Sequence, residues 1–168
     1  MVILKTGNIF ETKCLYIVNP INIVGVMGAG LAKEFKNKHL NYFLRYKREC
    51  SLDSVRIGHV KKYYIGHEHD GEYGFILNLP TKKHYKDPSK MSYIKKGLED
   101  FMRNYRNLGV TSVAFSMLGT GNGGLDEKKV LKLMLDTLND CIVPVEIYIQ
   151  NEITMKYGAR YLKKKKIE

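Results

Sequence analysis

Twice along this chain a short apolar run passes through a glycine-rich turn into a helical period, and this repetition restricts the fold more than any other feature. In the first unit, Cys14–Val18 leads through residues 19–27 to Gly28-Ala29-Gly30 and a helical pattern from Leu31. In the second, Val113–Met117 leads into Gly119-Thr120-Gly121-Asn122-Gly123-Gly124 and a helical pattern from Asp126. Apolar runs that alternate with helical periods mark an α/β domain.

The remaining elements follow from periodicity. Val2–Leu4, His59–Ile65, Tyr73–Leu79 and Val143–Ile149 read as further strands, and the second unit's strand extends back to Thr111. The run from Cys14 is expected to break at Asn19-Pro20, and the one from Tyr73 at Pro80, because proline removes a ladder donor. Leu31, Phe35 and His39 share one helical face, and Tyr42, Phe43 and Tyr46 mark a second helical stretch. Met91–Leu108 is the longest helical pattern, with Ile94, Leu98, Phe101, Met102 and Tyr105 at spacings of three and four and Gly109 as its stop. Asp126 is the expected N-cap of the next helix, and Glu152–Tyr157 a short closing one. The expected architecture is a three-layer α/β/α domain over residues 1–162, with a mixed central sheet of about six strands. Residues 163–168 then form a basic tail.

Composition narrows the function classes. No stretch approaches the ~18 apolar residues of a membrane span, and MVILKTGNIF lacks the pattern of a signal peptide. A cytoplasmic protein without membrane contact is therefore expected. Cys14, Cys50 and Cys141 are far apart and odd in number, which suits buried free thiols and neither a disulfide framework nor a metal site. His67 and His69 lack completing ligands, so no metal is expected. The net charge is +11, from 28 basic and 17 acidic residues, with Lys163–Lys166 at the end of the chain. Such a charge suits polyanions and phosphorylated ligands as partners, nucleic acid among them.

The chemistry points to the two loops. Glycines let the backbone turn and let a ligand approach closely, and a helix N-terminus presents free N–H groups to phosphate. Either loop alone is equally a plain tight turn; as a pair at the carboxyl ends of neighbouring strands they suit a pyrophosphate. A Walker loop is excluded by the lack of Gly-Lys-Ser/Thr. The second loop has the spacing of a dinucleotide fingerprint, but no acidic residue closes a following strand, and no resident cofactor is expected. The segment Asn78-Leu79-Pro80-Thr81-Lys82-Lys83-His84-Tyr85 delivers two lysines and a histidine to the same edge. These are either solvated surface or, beside anion-binding loops, a cation for phosphate or a nucleophile for a sugar carbon.

With these residues in view, the chain resembles a macrodomain over nearly its whole length. Val18–Phe35, Asn78–Tyr85 and Leu118–Asp126 are similar, in order, to the first substrate loop, the lysine segment and the phosphate loop of one branch. That branch holds the DarG-type antitoxins, which remove ADP-ribose from DNA bases, and the terminal ADP-ribose protein glycohydrolases. The resemblance implies ADP-ribose as ligand and an ADP-ribosyl glycohydrolase acting at C1 of the distal ribose, with an ADP-ribosylated nucleobase in DNA as target. It assigns catalysis to Lys82, with His84 as an assistant or a structural residue. It assigns ligand binding to Asn8 and Ile9 at the adenine end, to Asn19, Asn22, Met27, Gly28, Ala29 and Gly30 in the first loop, and to Leu118, Gly119, Thr120, Gly121, Asn122 and Gly123 in the second. Asn8 stands where the family has aspartate, which weakens its pull on the adenine amino group. The acid of the protein glycohydrolases is missing from the second loop, as in the antitoxins. A monomer is expected, a freestanding countermeasure of the kind used in phage defence. A non-catalytic ADP-ribose or signalling-nucleotide binder and an ADP-ribose 1″-phosphate phosphatase are the alternatives.

Overall fold

The apolar runs form six strands: β1 (Val2–Lys5), β2 (Tyr16–Asn22), β3 (Lys61–Tyr64), β4 (Phe75–Lys82), β5 (Val113–Ser116) and β6 (Val145–Tyr148). The computed structural model describes all residues from Met1 to Glu168. The strands lie in one sheet in the order β1-β6-β5-β2-β4-β3. Neighbours are parallel except at the β3 edge, which runs antiparallel to β4. Helices α1 (Gly30–Lys38) and α2 (Leu40–Ser51) cover one face, and α3 (Met91–Asn104), α4 (Glu127–Leu138) and α5 (Glu152–Lys165) the other. The mixed six-stranded sheet between two helical layers is the architecture read from the sequence.

Alternation along the central strands builds both cores. Tyr16 and Val18 of β2, with Leu77 and Leu79 of β4, pack under α3 and α4 against Ile94, Leu98, Val130 and Met134. Ile17, Ile21 and Ile76 face the opposite way, onto Phe35, Tyr42 and Tyr46. The three cysteines are free and buried, and burial pushes the Cys14 thiol up to about 11. No helix is long and apolar enough to cross a membrane.

Both proline expectations need correction, because β2 continues through Pro20 and β4 through Pro80. The reason lies in which side of each strand lacks a donor. Strand N–H groups alternate sides. The Tyr16 N–H points toward β5, donating to the Ser112 carbonyl at 3.1 Å, so Pro20 also faces that side. There β5 pairs with β2 only at Tyr16 and Ile17, and position 20 has no acceptor to lose. On β4, the Phe75 N–H donates toward β2, to the Leu15 carbonyl at 3.2 Å, which turns Pro80 toward β3. The β3 pairing has already ended at Lys61 opposite Asn78. The central pair thus outruns both neighbours, which peel away and leave a crevice at its carboxyl end.

The closing helix is also longer than the short segment expected, and carries Lys163–Lys165 within it. Asn151 caps it, its side-chain oxygen accepting from Ile153 and Thr154. It passes Gly158 because that residue is pressed against the domain: a Cβ there would lie 2.8 Å from both Leu131 and Leu4. Beyond it, Tyr161 and Lys165 bond to Asp136 of α4.

Candidate functional site

A cleft of about 1070 Å³ opens at the carboxyl ends of the parallel strands, the position that open α/β sheets reserve for ligands. Asn8 and Ile9, from the turn after β1, line one end, together with Tyr148 at the end of β6 and Gln150 just beyond it. Gly28, Ala29 and Gly30 line one wall, and Gly119, Thr120, Gly121 and Asn122 the other. The two loops face each other closely: a Cβ on Gly30 would lie 3.6 Å from the Asn122 amide nitrogen.

The two helix N-termini are not equivalent. At α1 the N-cap position is Ala29, whose side chain caps nothing, so the first N–H groups of α1 are open to an anion. At α4 the Asp126 carboxylate accepts from the Lys129 N–H at 2.9 Å, as expected for an N-cap. That end is closed, and the second loop meets a ligand with its own backbone. Gly123 holds the loop's shape: a Cβ there would lie 2.3 Å from the Gly119 carbonyl oxygen and 2.4 Å from Ser89 Oγ. The Gly123 carbonyl accepts from the Ser89 N–H at 3.0 Å, outside the cleft lining.

Lys82 ends β4 opposite Asn22, just past an irregularity in the β2–β4 register. Its ammonium donates to the Asn122 carbonyl at 3.0 Å and to the Tyr85 carbonyl at 3.4 Å. It therefore stands across the cleft, tied to the second loop. Asn22 is largely committed to shaping the first loop. Its Oδ1 accepts from the Val24 and Val26 N–H groups at 3.1 and 3.3 Å, and its Nδ2 donates to the Val26 carbonyl at 2.7 Å. Tyr46 Oη lies 2.9 Å from the same Oδ1. One amide hydrogen of Asn22 is left for a ligand.

Five expected residues are not among those lining the cleft, Leu118 and Gly123 having been expected to act through their backbones. Asn19 is fully buried and donates to Tyr42 Oη at 2.8 Å, tying β2 to α2. Met27 and Leu118 are core side chains. Gly123 is enclosed, as described. The His84 ring accepts from the Lys86 N–H at 3.1 Å and stacks with centroids 4.3 Å apart on Tyr85, which lines the cleft where His84 does not. Asn8 does line the cleft, but its Oδ1 already accepts from the Phe10 N–H at 3.0 Å, capping a single 3-10 turn over Ile9–Glu11.

The structure adds residues that the sequence reading missed: Glu34, Tyr85, Ser116, Glu127, Tyr148 and Gln150. Tyr148 and Gln150 follow from the strand order, since β6 lies inside the sheet and its carboxyl end must open on the same crevice. Gln150 exchanges bonds with the Gly7 backbone, donating to its carbonyl at 2.5 Å. Burial raises the Tyr148 hydroxyl above its ordinary pKa. Ser116 Oγ is buried and has no partner within the chain. Glu127 accepts from Thr154 Oγ1 at 2.7 Å. Lys82 is the one basic residue lining the cleft, against the two acids Glu34 and Glu127. Recognition of an anion there falls to backbone donors, not to the chain's excess of lysine.

A sheet of this order, with an uncapped helix end and a second glycine loop at its carboxyl edge, is the architecture of a macrodomain. The chain belongs to that family: the Macro domain model matches residues 18–134. It is 41% identical over 130 residues to a Mycobacterium tuberculosis protein named DNA ADP-ribosyl glycohydrolase, a match covering 77% of this chain and 36% of that protein. The chain thus spans little more than a third of that relative's length. The macrodomain of Mycobacterium tuberculosis DarG superposes with a TM-score of 0.85 at 36% identity, covering 90% of this chain and 99% of that one. Thermosipho africanus DarTG in complex with ADP-ribose superposes with a TM-score of 0.83 at 27% identity, covering 94% and 46%.

Proposed function

We propose that this chain is an ADP-ribosyl glycohydrolase that removes ADP-ribose from a modified base in DNA. The observation that carries the reading is the placement of Lys82: its ammonium bridges to the Asn122 carbonyl at 3.0 Å, across a cleft walled by the two glycine loops. The names of the relatives agree with it, and one similar structure was solved with ADP-ribose.

In this reading the adenine lies toward Asn8, Ile9 and Tyr148. The pyrophosphate is held by the open N–H groups of α1 and the backbone of Gly119–Asn122, with Ser116 Oγ as a further donor. The distal ribose then sits between Asn22 and Lys82. Preorganised donors place C1 of that ribose beside the lysine. The bond from C1 to the base nitrogen breaks, and its electron pair leaves with the base, which takes up a proton. The Lys82 amine, having given up a proton, attacks C1; water then displaces it, releasing ADP-ribose and free enzyme.

The test is turnover of single-stranded DNA carrying one ADP-ribosylated base. Wild type should release the label, and Lys82→Ala should lose at least about 100-fold in kcat, the size of effect expected for a missing nucleophile or its proton transfer. The Lys82–C1 adduct interconverts with its ring-opened imine, in which the C1–O4 bond has broken and O4 has taken up a proton, and borohydride reduction of that imine during turnover should trap an adduct on wild type alone. Full activity in Lys82→Ala would overturn the assignment. Tight ADP-ribose binding with no turnover on DNA or protein would leave a binding module, a reading that the two carbonyls engaging the Lys82 ammonium favour.

A further inference from the structure

A second cavity, of about 370 Å³, lies behind the catalytic edge, between the segment joining α2 to β3 and the ends of β2 and β4. Its lining contrasts with that of the main cleft. Arg56, His59 and Lys61 line it and no acidic residue does. Neither the Arg56 nor the His59 side chain has a hydrogen-bond or ion-pair partner within the chain, whereas Lys61 pairs with Glu49 at 2.8 Å. Asn78 also lines it; this residue is 2% exposed and its amide nitrogen, a donor of two hydrogens, bonds to nothing.

Asn19 Oδ1, on β2 in register with Asn78, is an unpaired buried acceptor, and both asparagines bond to Tyr42 Oη, so this polar pair belongs to the core. The cavity's own signal is Arg56 and His59, both without partners and with no acid in the lining, and such a lining suits an anion. At 370 Å³ the space is near the lower end of small-ligand sites, which run from ~300 to 1,000 Å³. That suits one phosphate with its sugar better than an intact dinucleotide.

Its place in the fold says which phosphate. Ile21 lines both the cavity and the main cleft. Pro80, at the cavity, precedes Lys82 by two residues of strand, about 6.6 Å at strand rise. A ligand with its reacting atom at Lys82 and a chain continuing from it therefore meets this cavity next.

We propose that this cavity holds a backbone phosphate of the DNA strand, one flanking the ADP-ribosylated nucleotide, gripped by Arg56 and His59. The proposal rests on the reading of the target as DNA. Its test is chosen to separate the two.

The experiment measures binding of an unmodified single-stranded oligonucleotide by fluorescence anisotropy, for wild type and for Arg56→Ala/His59→Ala. The double variant should bind about tenfold more weakly, the loss of about one charge-assisted hydrogen bond. Its salt slope should fall by about one per lost phosphate contact. Free ADP-ribose, measured by calorimetry, should bind both proteins alike and so report an intact main cleft. Equal oligonucleotide affinity in wild type and the double variant would overturn the proposal, as would equal competition by polyglutamate, which would make the partner an acidic peptide. If the oligonucleotide result holds while no ADP-ribosylated DNA is cleaved, the cavity stands and the glycohydrolase reading falls.

Discussion

Gly123 shows how narrowly a single residue can be constrained by its surroundings. A methyl group there meets the Gly119 carbonyl and Ser89 Oγ at contact distances that side chains do not tolerate. Gly123→Ala should therefore lower unfolding stability by about 1–3 kcal/mol, the cost of overpacking, and weaken ADP-ribose binding by displacing the second loop. A denaturation curve and a calorimetric titration on the same variant measure both; an unchanged affinity would show that the loop does not grip the phosphates. At this scale the sequence places Lys82 at the cleft that it does line, and is less informative where a position depends on the direction of a side chain. Asn19 and Met27 belong to the right segment, yet strand alternation and the tight first loop send both into the core, onto Tyr42 and under α1. Ser116 and Glu34 carry no signal in sequence, because their role depends on which strand ends and helix turns meet in space.

The junction of α1 and α2 is a single residue, His39, and its ring is titratable. The ring lies 2.7 Å from Tyr73 Oη and edge-on to His69. Burial first, then the nearby His69 and Lys38, lowers its pKa from 6.5 to about 4. Above pH 6.5 His39 is neutral both folded and unfolded and stability does not depend on its protonation. Between pH 6.5 and about 4 the unfolded chain binds a proton that the folded protein refuses, so stability falls as the pH is lowered. His39→Gln should flatten the fall in thermal midpoint across that window, and a variant with the wild-type profile would place the titration elsewhere. The elements themselves were readable: six strands, the long α3 and the Asp126 cap all follow from periodicity and capping chemistry. What misled was proline. In sequence Pro20 and Pro80 look like stops, since their harmlessness depends on which neighbours have already peeled away, a property of the sheet and not of either strand.

For the whole molecule, the net charge of +11 is not spent on the main cleft, whose lining carries one lysine and two glutamates. Binding of free ADP-ribose should therefore weaken only slightly between 50 and 200 mM salt, while that of an oligonucleotide falls steeply, with a slope set by the number of phosphates neutralised. Calorimetry and anisotropy over one salt series compare the two; parallel slopes would mean that side-chain charge, not backbone amides, holds the ADP-ribose. The charge was plain in the composition, but its separation from the nucleotide cleft required the fold. The paired prolines have one further effect. A strand end that outruns its neighbours presents bare edges on which another chain can add a strand. Pro20 faces one such edge and Pro80 the other, each without an N–H to offer. Each proline thereby withholds a donor that a strand added from a second copy of the protein would need at the mouth of the crevice.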